Sequence, residues 1–350
     1  MSSRSQRFVF LDGLRGIAAL SVAWLHGLGI AGAGSAGFDN TGLAVDFFFC
    51  LSGFVVAFAY DERLRGALTV IEFMQKRLIR LYPMIAAGVF LGALAALYAG
   101  EGSTAQILVR TAGSFAMLPM GLLQNGLTYP TNVPMWSLFF EILACLGYGL
   151  AVKLLPRRLM IAMLPALALL LATAIALAGH VTGFGVFGIV SFTAALVRVG
   201  YPFLLGIILF RLGWRNRIKP LPSMVWAAVL VAILFTPQLG RFQAPFHILA
   251  TLVLLPGVVM IGVGTPVQYK AFWTLSGRLS YPLYLVHWPV YIAVRRWLGN
   301  SFPPVPTAFI GLGLAVVSAY VMLVAYDEPV RAWLKGRHRL TRTSEIGQLP

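Results

Sequence analysis

The chain has 350 residues, of which 59% are hydrophobic and only 11% are Asp, Glu, Lys or Arg, with a formal net charge of +16. A soluble domain carries about 45–50% apolar and about 25% charged residues, so soluble-enzyme, disordered and disulfide-scaffold readings drop out. An all-α, polytopic integral membrane protein remains.

A spanning helix needs about 20 mostly apolar residues. In chain order that rule selects residues near 13–32, 41–60, 81–99, 134–155, 158–179, 195–212, 223–239, 246–264, 277–298 and 305–327, about ten transmembrane helices. The apolar stretch 107–123 is interrupted by Arg110, Gly113 and Pro119 and reads as a short re-entrant or interfacial segment. Loops are short and no internal repeat is evident. The organisation expected is one membrane-embedded domain, 1–334, and a basic cytoplasmic tail, 335–350. Cys50 and Cys145 lie in apolar runs and read as small buried hydrophobes.

With the N-terminus inside, these spans put 22 Lys and Arg on the cytoplasmic side and five, including Arg110, Arg198 and Arg241, on the other. That asymmetry predicts a multi-pass protein of the plasma (inner) membrane with both termini cytoplasmic. It assigns the positive charge to topology and argues against a nucleic-acid partner. Arg4, Arg7, the apolar run from Ile17 to Leu25 and the small residues after it also resemble a cleavable signal peptide. Asp12 and Arg15 within the segment, and the many spans that follow, favour a retained first helix.

A charge at bilayer depth costs at least ~2.5–3.5 kcal/mol on insertion scales, so each one inside a span is a functional candidate. Arg15 and His26, eleven residues apart in the first span, fall within ~20° of each other around the helix and ~16 Å apart along it. Asp46 and Glu141, from the second and fourth spans, are expected at the level of His26 in the outer half. A carboxylate on one ring nitrogen would fix the tautomer of His26 and raise its basicity. The bland alternative pairs each carboxylate with an arginine, or has it cap a broken helix. Lys76, Arg77 and Arg80 form either a head-group anchor or, through paired guanidinium forks, a phosphate clamp. In the ninth span Tyr284 and His287 share a helix face with Ser280 and Tyr281 nearby, as a site or as packing.

Ser52-Gly53-Phe54 marks a close helix approach or a local break. Asp327 and Glu328 read as ordinary ion pairs. His180, His247 and His338 receive no role. No metal-ligand spacing, phosphate-binding glycine loop or serine nucleophile elbow is present, so no metal is expected.

These residues, in this order, resemble the integral-membrane acyltransferase family three, the O-acetyltransferases of bacterial surface glycans and some antibiotics. The matching stretches are LDGLRGIAALSVAWLH, GLAVDFFFCLSGF, QKRLIRLYP, WSLFFE, LSYPLYLVHWP and YDEP. Each is weak alone; the six together, from about residue 8 to 334, are specific. Where the family carries two adjacent acids after its WSL stretch, this chain has Glu141 alone. Some members add a hydrolase-like domain, whereas here the membrane domain is expected to complete the transfer by itself.

The resemblance implies a membrane-bound O-acyltransferase, with acetyl as the expected group and acetyl-CoA as the donor. The anionic end of CoA would rest on Arg77, Arg80 and Arg15, and its pantetheine arm would thread toward His26. His26 would act as general base on an acceptor hydroxyl of a glycan or glycolipid, oriented by Asp46 or Glu141. Trp136, Ser137, Tyr284 and His287 would line the substrate. An acyl-His intermediate is the alternative route, and a macrolide or another small amphiphile the alternative acceptor. Expected partners are acyl-CoA, the hydroxyl acceptor and membrane lipid, with a homo-oligomer left open. The alternative of another class is a proton-coupled transporter or glycan flippase, which commonly shows inverted repeats and paired broken helices. Neither is seen in the sequence.

Overall fold

The computed structural model describes residues 8–213, 222–299 and 301–336. Of the expected tail, only Lys335 and Gly336 fall within them; His338, Arg4 and Arg7 lie outside. Among the described residues the chain is helical with no sheet, and one isolated bridge joins Leu127 to Phe187. Helices are the solution such a sequence has, because a backbone in hydrocarbon must satisfy its hydrogen bonds within its own segment.

The helices that frame the site are α1 (Val9–Ala31), α2 (Ala44–Arg65), α3 (Val70–Ala99), α4 (Thr104–Phe115), α5 (Met135–Ala151), α6 (Arg157–Ala178) and α7 (Gly188–Arg211). They are followed by α8 (Ser223–Leu234), α9 (Gln243–Leu249), α10 (Leu255–Gly262), α11 (Lys270–Leu298) and α12 (Pro304–Met322). Local chemistry sets the ends. A capping box of Thr69 and Glu72 opens α3, and left-handed Gly32 (φ 92°) closes α1. A π-helical turn, Leu323–Asp327, follows α12.

By length and composition, seven helices are fit to cross a membrane among the described residues, fewer than the ten expected. Met135–Ala151 and Ser223–Leu234 are apolar but shorter than 18 residues. Lys270–Leu298 has 29 residues but carries Lys270, Arg278, His287, Arg295 and Arg296. The stretch 107–123 becomes the 12-residue α4 and an irregular turn. At 1.5 Å per residue, α4 is about 18 Å long, too short to span.

Glycines bring the helices that carry the site into backbone contact. On α1, Gly13, Gly16 and Gly27 face Trp273, Ser276 and Tyr291 of α11 in matching order, so the two helices run parallel. A Cβ on Gly16 would stand 2.0 Å from Ser276 Oγ. Between α2 and α7, a Cβ on Gly53 would stand 2.0 Å from Phe203 O, and one on Gly206 2.0 Å from Cys50 O. Ser52-Gly53-Phe54 therefore marks a close approach, and α2 runs unbroken through it. Two loops interlock over the start of α5. Thr128 donates from its backbone to Val186 O (2.9 Å) and from its hydroxyl to Gly185 O (2.8 Å), while Gly185 packs against the Trp136 ring.

Candidate active site

The parallel register of α1 and α11 sets His26 beside His287. His26 Nδ1 lies 2.9 Å from His287 Nε2, and the ring planes differ by 4°. With 5.2 Å between ring centres, the nitrogen–nitrogen vector runs along the line of centres, which is an in-plane hydrogen bond rather than a stack. His287 Nδ1 lies 2.9 Å from the Leu283 carbonyl one turn back. His287 is fully buried; His26 is half-buried, with the edge of the Trp288 indole against it.

Neither carboxylate expected to orient His26 touches it. Asp46 accepts from Arg198 at both oxygens, Nε to Oδ1 at 3.0 Å and Nη2 to Oδ2 at 2.7 Å, with both side chains no more than 2% exposed. The same guanidinium donates to Gly42 O and stands 5.3 Å over the Trp136 ring. Glu141 Oε1 accepts from Arg77 Nη2 at 2.5 Å and from Ser52 Oγ at 2.8 Å. The physical reason is desolvation: a carboxylate removed from water needs a full positive charge and several donors, and a neutral imidazole supplies neither.

The other residues expected at the substrate fall into two groups. Trp136 is buried between Arg198 and Gly185 and, like His287, is not in the lining of the cavity that Ser137 and Tyr284 share. Ser137 bonds to Pro134 O at 3.0 Å and shares a 2.7 Å hydrogen bond with the Tyr284 hydroxyl. Both Ser137 and Tyr284 line a cavity of about 700 Å³. Tyr284 also faces His287, with 6.0 Å between ring centres.

That cavity is apolar along α2 and rich in cations, and neither His26 nor His287 is in its lining. Arg15, Lys76, Arg77, Arg80, Arg278, Arg331 and Lys335 line it against four carboxylates, Asp12, Glu141, Asp327 and Glu328. Four of the cations are engaged. Arg77 holds Glu141, Arg15 lies 3.7 Å from Asp12, Arg278 grips Glu328 with two bonds of 2.9 and 2.8 Å, and Arg331 pairs with Asp327. The other three, Lys76, Arg80 and Lys335, make no ion-pair contact or hydrogen bond among the described residues. The expected Arg77–Arg80 pair is thus split into one anchored and one open guanidinium.

Three polar groups of weight were not read from the sequence. Arg198 was counted as an outer-side charge although it lies within a predicted span, and its position there was itself the signal. Ser52 donates to Glu141 rather than only marking a helix contact. His247, given no role, is fully buried, accepting from Val181 N–H at 3.0 Å through Nδ1 and meeting Asn40 Oδ1 at 2.6 Å through Nε2. It ties α9 to the loop after α6 and to the turn before α2.

Comparison with known proteins adds a family-level likeness. A family model described as an acyltransferase domain matches residues 8–324. The chain is 27% identical over 292 residues to the exopolysaccharide production protein ExoZ of Rhizobium meliloti (strain 1021), covering 80% of this chain and 87% of that protein. It is 35% identical over 164 residues to protein 2 in the picA locus of Rhizobium radiobacter, covering 42% of this chain and 83% of that protein. No solved structure matches.

Proposed function

The chain belongs to the acyltransferase family whose model covers residues 8–324, and on that premise we propose that it is a membrane O-acyltransferase acting on an exopolysaccharide. In this reading it takes an acyl group, acetyl in the first instance, from acyl-CoA on the cytoplasmic side. It delivers the group to a hydroxyl of a glycan or glycolipid in the outer half of the membrane. The likeness to an exopolysaccharide production protein of Rhizobium meliloti supports the polysaccharide acceptor.

The observation that carries the proposal is the cavity. Seven cations line it together with Ser137 and Tyr284, and Tyr284 stands a single turn of α11 from His287. A CoA-like molecule has matching chemistry, with phosphates at one end and an uncharged arm carrying the thioester. Arg80 and Lys76, which line the cavity without a direct hydrogen bond to any of its carboxylates, would take phosphate oxygens, with Arg15 beside them. Arg77 would contribute from the fixed position that Glu141 and Ser52 give it. His26 would remove the acceptor hydroxyl proton as its oxygen attacks the thioester carbon, and the C–S bond would break to release thiol. Asp46 and Glu141 would then serve the site by holding Arg198 and Arg77.

Mass spectrometry of the exopolysaccharide from cells with and without the gene should show the loss of one acyl mass. Membranes incubated with labelled acetyl-CoA should label exopolysaccharide in preference to a macrolide. An unchanged glycan, or purified protein that moves glycan across liposomes without consuming acetyl-CoA, would overturn the reading. Cys50 and Cys145 are both buried, so an impermeant thiol reagent can test orientation. It should label an Ala36→Cys variant in intact cells; labelling only after permeabilisation would reverse the topology.

A further inference from the structure

The hydrogen bonds around the two imidazoles fix which nitrogen carries each proton. The Leu283 carbonyl can only accept, so His287 Nδ1 carries a hydrogen and donates it. In the neutral ring His287 Nε2 then holds the lone pair, which makes it the acceptor of the 2.9 Å bond and His26 Nδ1 the donor. Neutral His26 consequently has its lone pair on Nε2. That is the one nitrogen of the four with no hydrogen-bond partner among the described residues. One backbone carbonyl sets both tautomers, through two hydrogen bonds in series.

From this arrangement we infer that His287 is the positioning residue and proton relay of the transfer, in the place a carboxylate holds beside the histidine of a Ser-His-Asp triad. The inference rests on the acyltransferase reading above. As the acceptor oxygen bonds to the thioester carbon, its proton passes to His26 Nε2. The Nδ1 proton of His26 shifts along the 2.9 Å bond toward His287 Nε2, so the positive charge spreads over two rings. The carbon–sulfur bond breaks with its electron pair on sulfur. The proton returns through the same bond to His26, and from Nε2 to the thiolate. An ester and a thiol are formed, both rings end as they began, and nothing else is consumed. A neutral partner suits this position. A buried carboxylate there would need a cation of its own, as Asp46 and Glu141 do, whereas His287 adds no resting charge.

The chain has five histidines, so isotope labelling of their ring nitrogens gives an NMR spectrum that single variants can assign. In detergent-solubilised wild type, His26 should show the Nδ1–H tautomer, and His287→Leu should abolish that preference. With radiolabelled acetyl-CoA as donor and exopolysaccharide from gene-deleted cells as acceptor, His287→Leu should lower kcat about 10²-fold or more. KM for acetyl-CoA and binding of CoA itself should stay at wild-type values. His287→Gln offers a side-chain carbonyl to His26 Nδ1 but cannot take its proton, so it should restore the tautomer and only part of the rate. Wild-type kcat in His287→Leu, or a His26 tautomer indifferent to residue 287, overturns the inference. If the leucine variant no longer binds CoA it has misfolded, and full wild-type kcat in His287→Gln then overturns the relay. Wild-type protein that acetylates no glycan sinks the acyltransferase reading instead, and the spectrum still decides whether the tautomers are set as inferred.

Discussion

Asp46–Arg198 and His26–His287 are both polar pairs set into an apolar interior, and they are opposites in how completely their bonding is used. In the first, each carboxylate oxygen takes a guanidinium N–H, the same guanidinium also reaches Gly42 O, and an indole covers it. In the second, two neutral rings share one hydrogen bond, and His26 keeps a nitrogen unengaged. A saturated buried pair has no capacity left for a substrate and holds helices together; an unsaturated one is where chemistry can enter. The cations of the cavity repeat the contrast only in part: Arg77 is anchored on Glu141 through Nη2 while its buried Nε has no hydrogen-bond partner among the described residues, and Arg80 makes no direct bond.

The largest effect expected from breaking this comparison is on the saturated side. Asp46→Ala leaves the Arg198 guanidinium buried without its counter-charge, a loss of about 3–5 kcal/mol in comparable buried pairs. That is a large share of a typical stability of about 5–15 kcal/mol. The variant should lose most of its folded yield and melt well below wild type in detergent. Removing both charges together, Asp46→Leu with Arg198→Met, should recover much of the loss. If Asp46→Ala instead keeps its melting temperature and loses only turnover, Asp46 belongs with the chemistry and the contrast is wrong.

On the unsaturated side the loss should fall on rate. His26→Ala removes a half-buried ring with one neutral hydrogen bond, worth about 0.5–1.5 kcal/mol net, so the folded protein should persist. A missing general base lowers kcat typically 10²–10⁴-fold. Turnover with labelled acetyl-CoA, set beside a melting curve of the same preparation, checks both halves. Wild-type turnover in this variant would remove His26 from the mechanism.

Most of what separates the two pairs was invisible along the chain. Spacing alone gave the Arg15–His26 stripe, because both lie on one helix. It also gave the share of a face between Tyr284 and His287. The pairing of His26 with His287, 261 residues away, and of Asp46 with Arg198, 152 residues away, depends on which helices touch. Glycine contacts between α1 and α11 and between α2 and α7 decide that, and a glycine does not name its partner. Placing three ionisable groups at one membrane depth could not tell which neighbour each would choose, and Glu141 pairs with Arg77 among the cations of the cavity rather than with His26. Arg198 was the clue within reach, since a charge inside a span needs a counter-charge, and Asp46 was available to supply it.

The smallest effect, and the one that sharpens the comparison most, concerns Arg77 and Arg80. They are three residues apart on α3, they line one cavity, and of the two only Arg77 is hydrogen-bonded to Glu141. If the open guanidinium binds a CoA phosphate, it does so alike in the ground and transition states. Losing such uniform binding raises KM and leaves kcat nearly unchanged. Arg80→Ala should therefore weaken CoA binding about tenfold, near the lower end of a charged hydrogen bond, without moving the melting temperature or KM for the acceptor. Arg80→Lys should recover part of this, because lysine keeps the charge but lacks the fork. Arg77→Ala should behave differently, lowering the melting temperature as it strands Glu141. Glu141→Gln should weaken the same contact, and in the double variant the two losses should not add. Calorimetry with CoA on detergent-purified protein separates these outcomes from a head-group anchor, which predicts lower membrane yield with unchanged CoA affinity per folded molecule. Equal CoA affinity in wild type and Arg80→Ala would return the open arginine to topology, and the contrast between open and saturated groups would then hold only at the histidine pair.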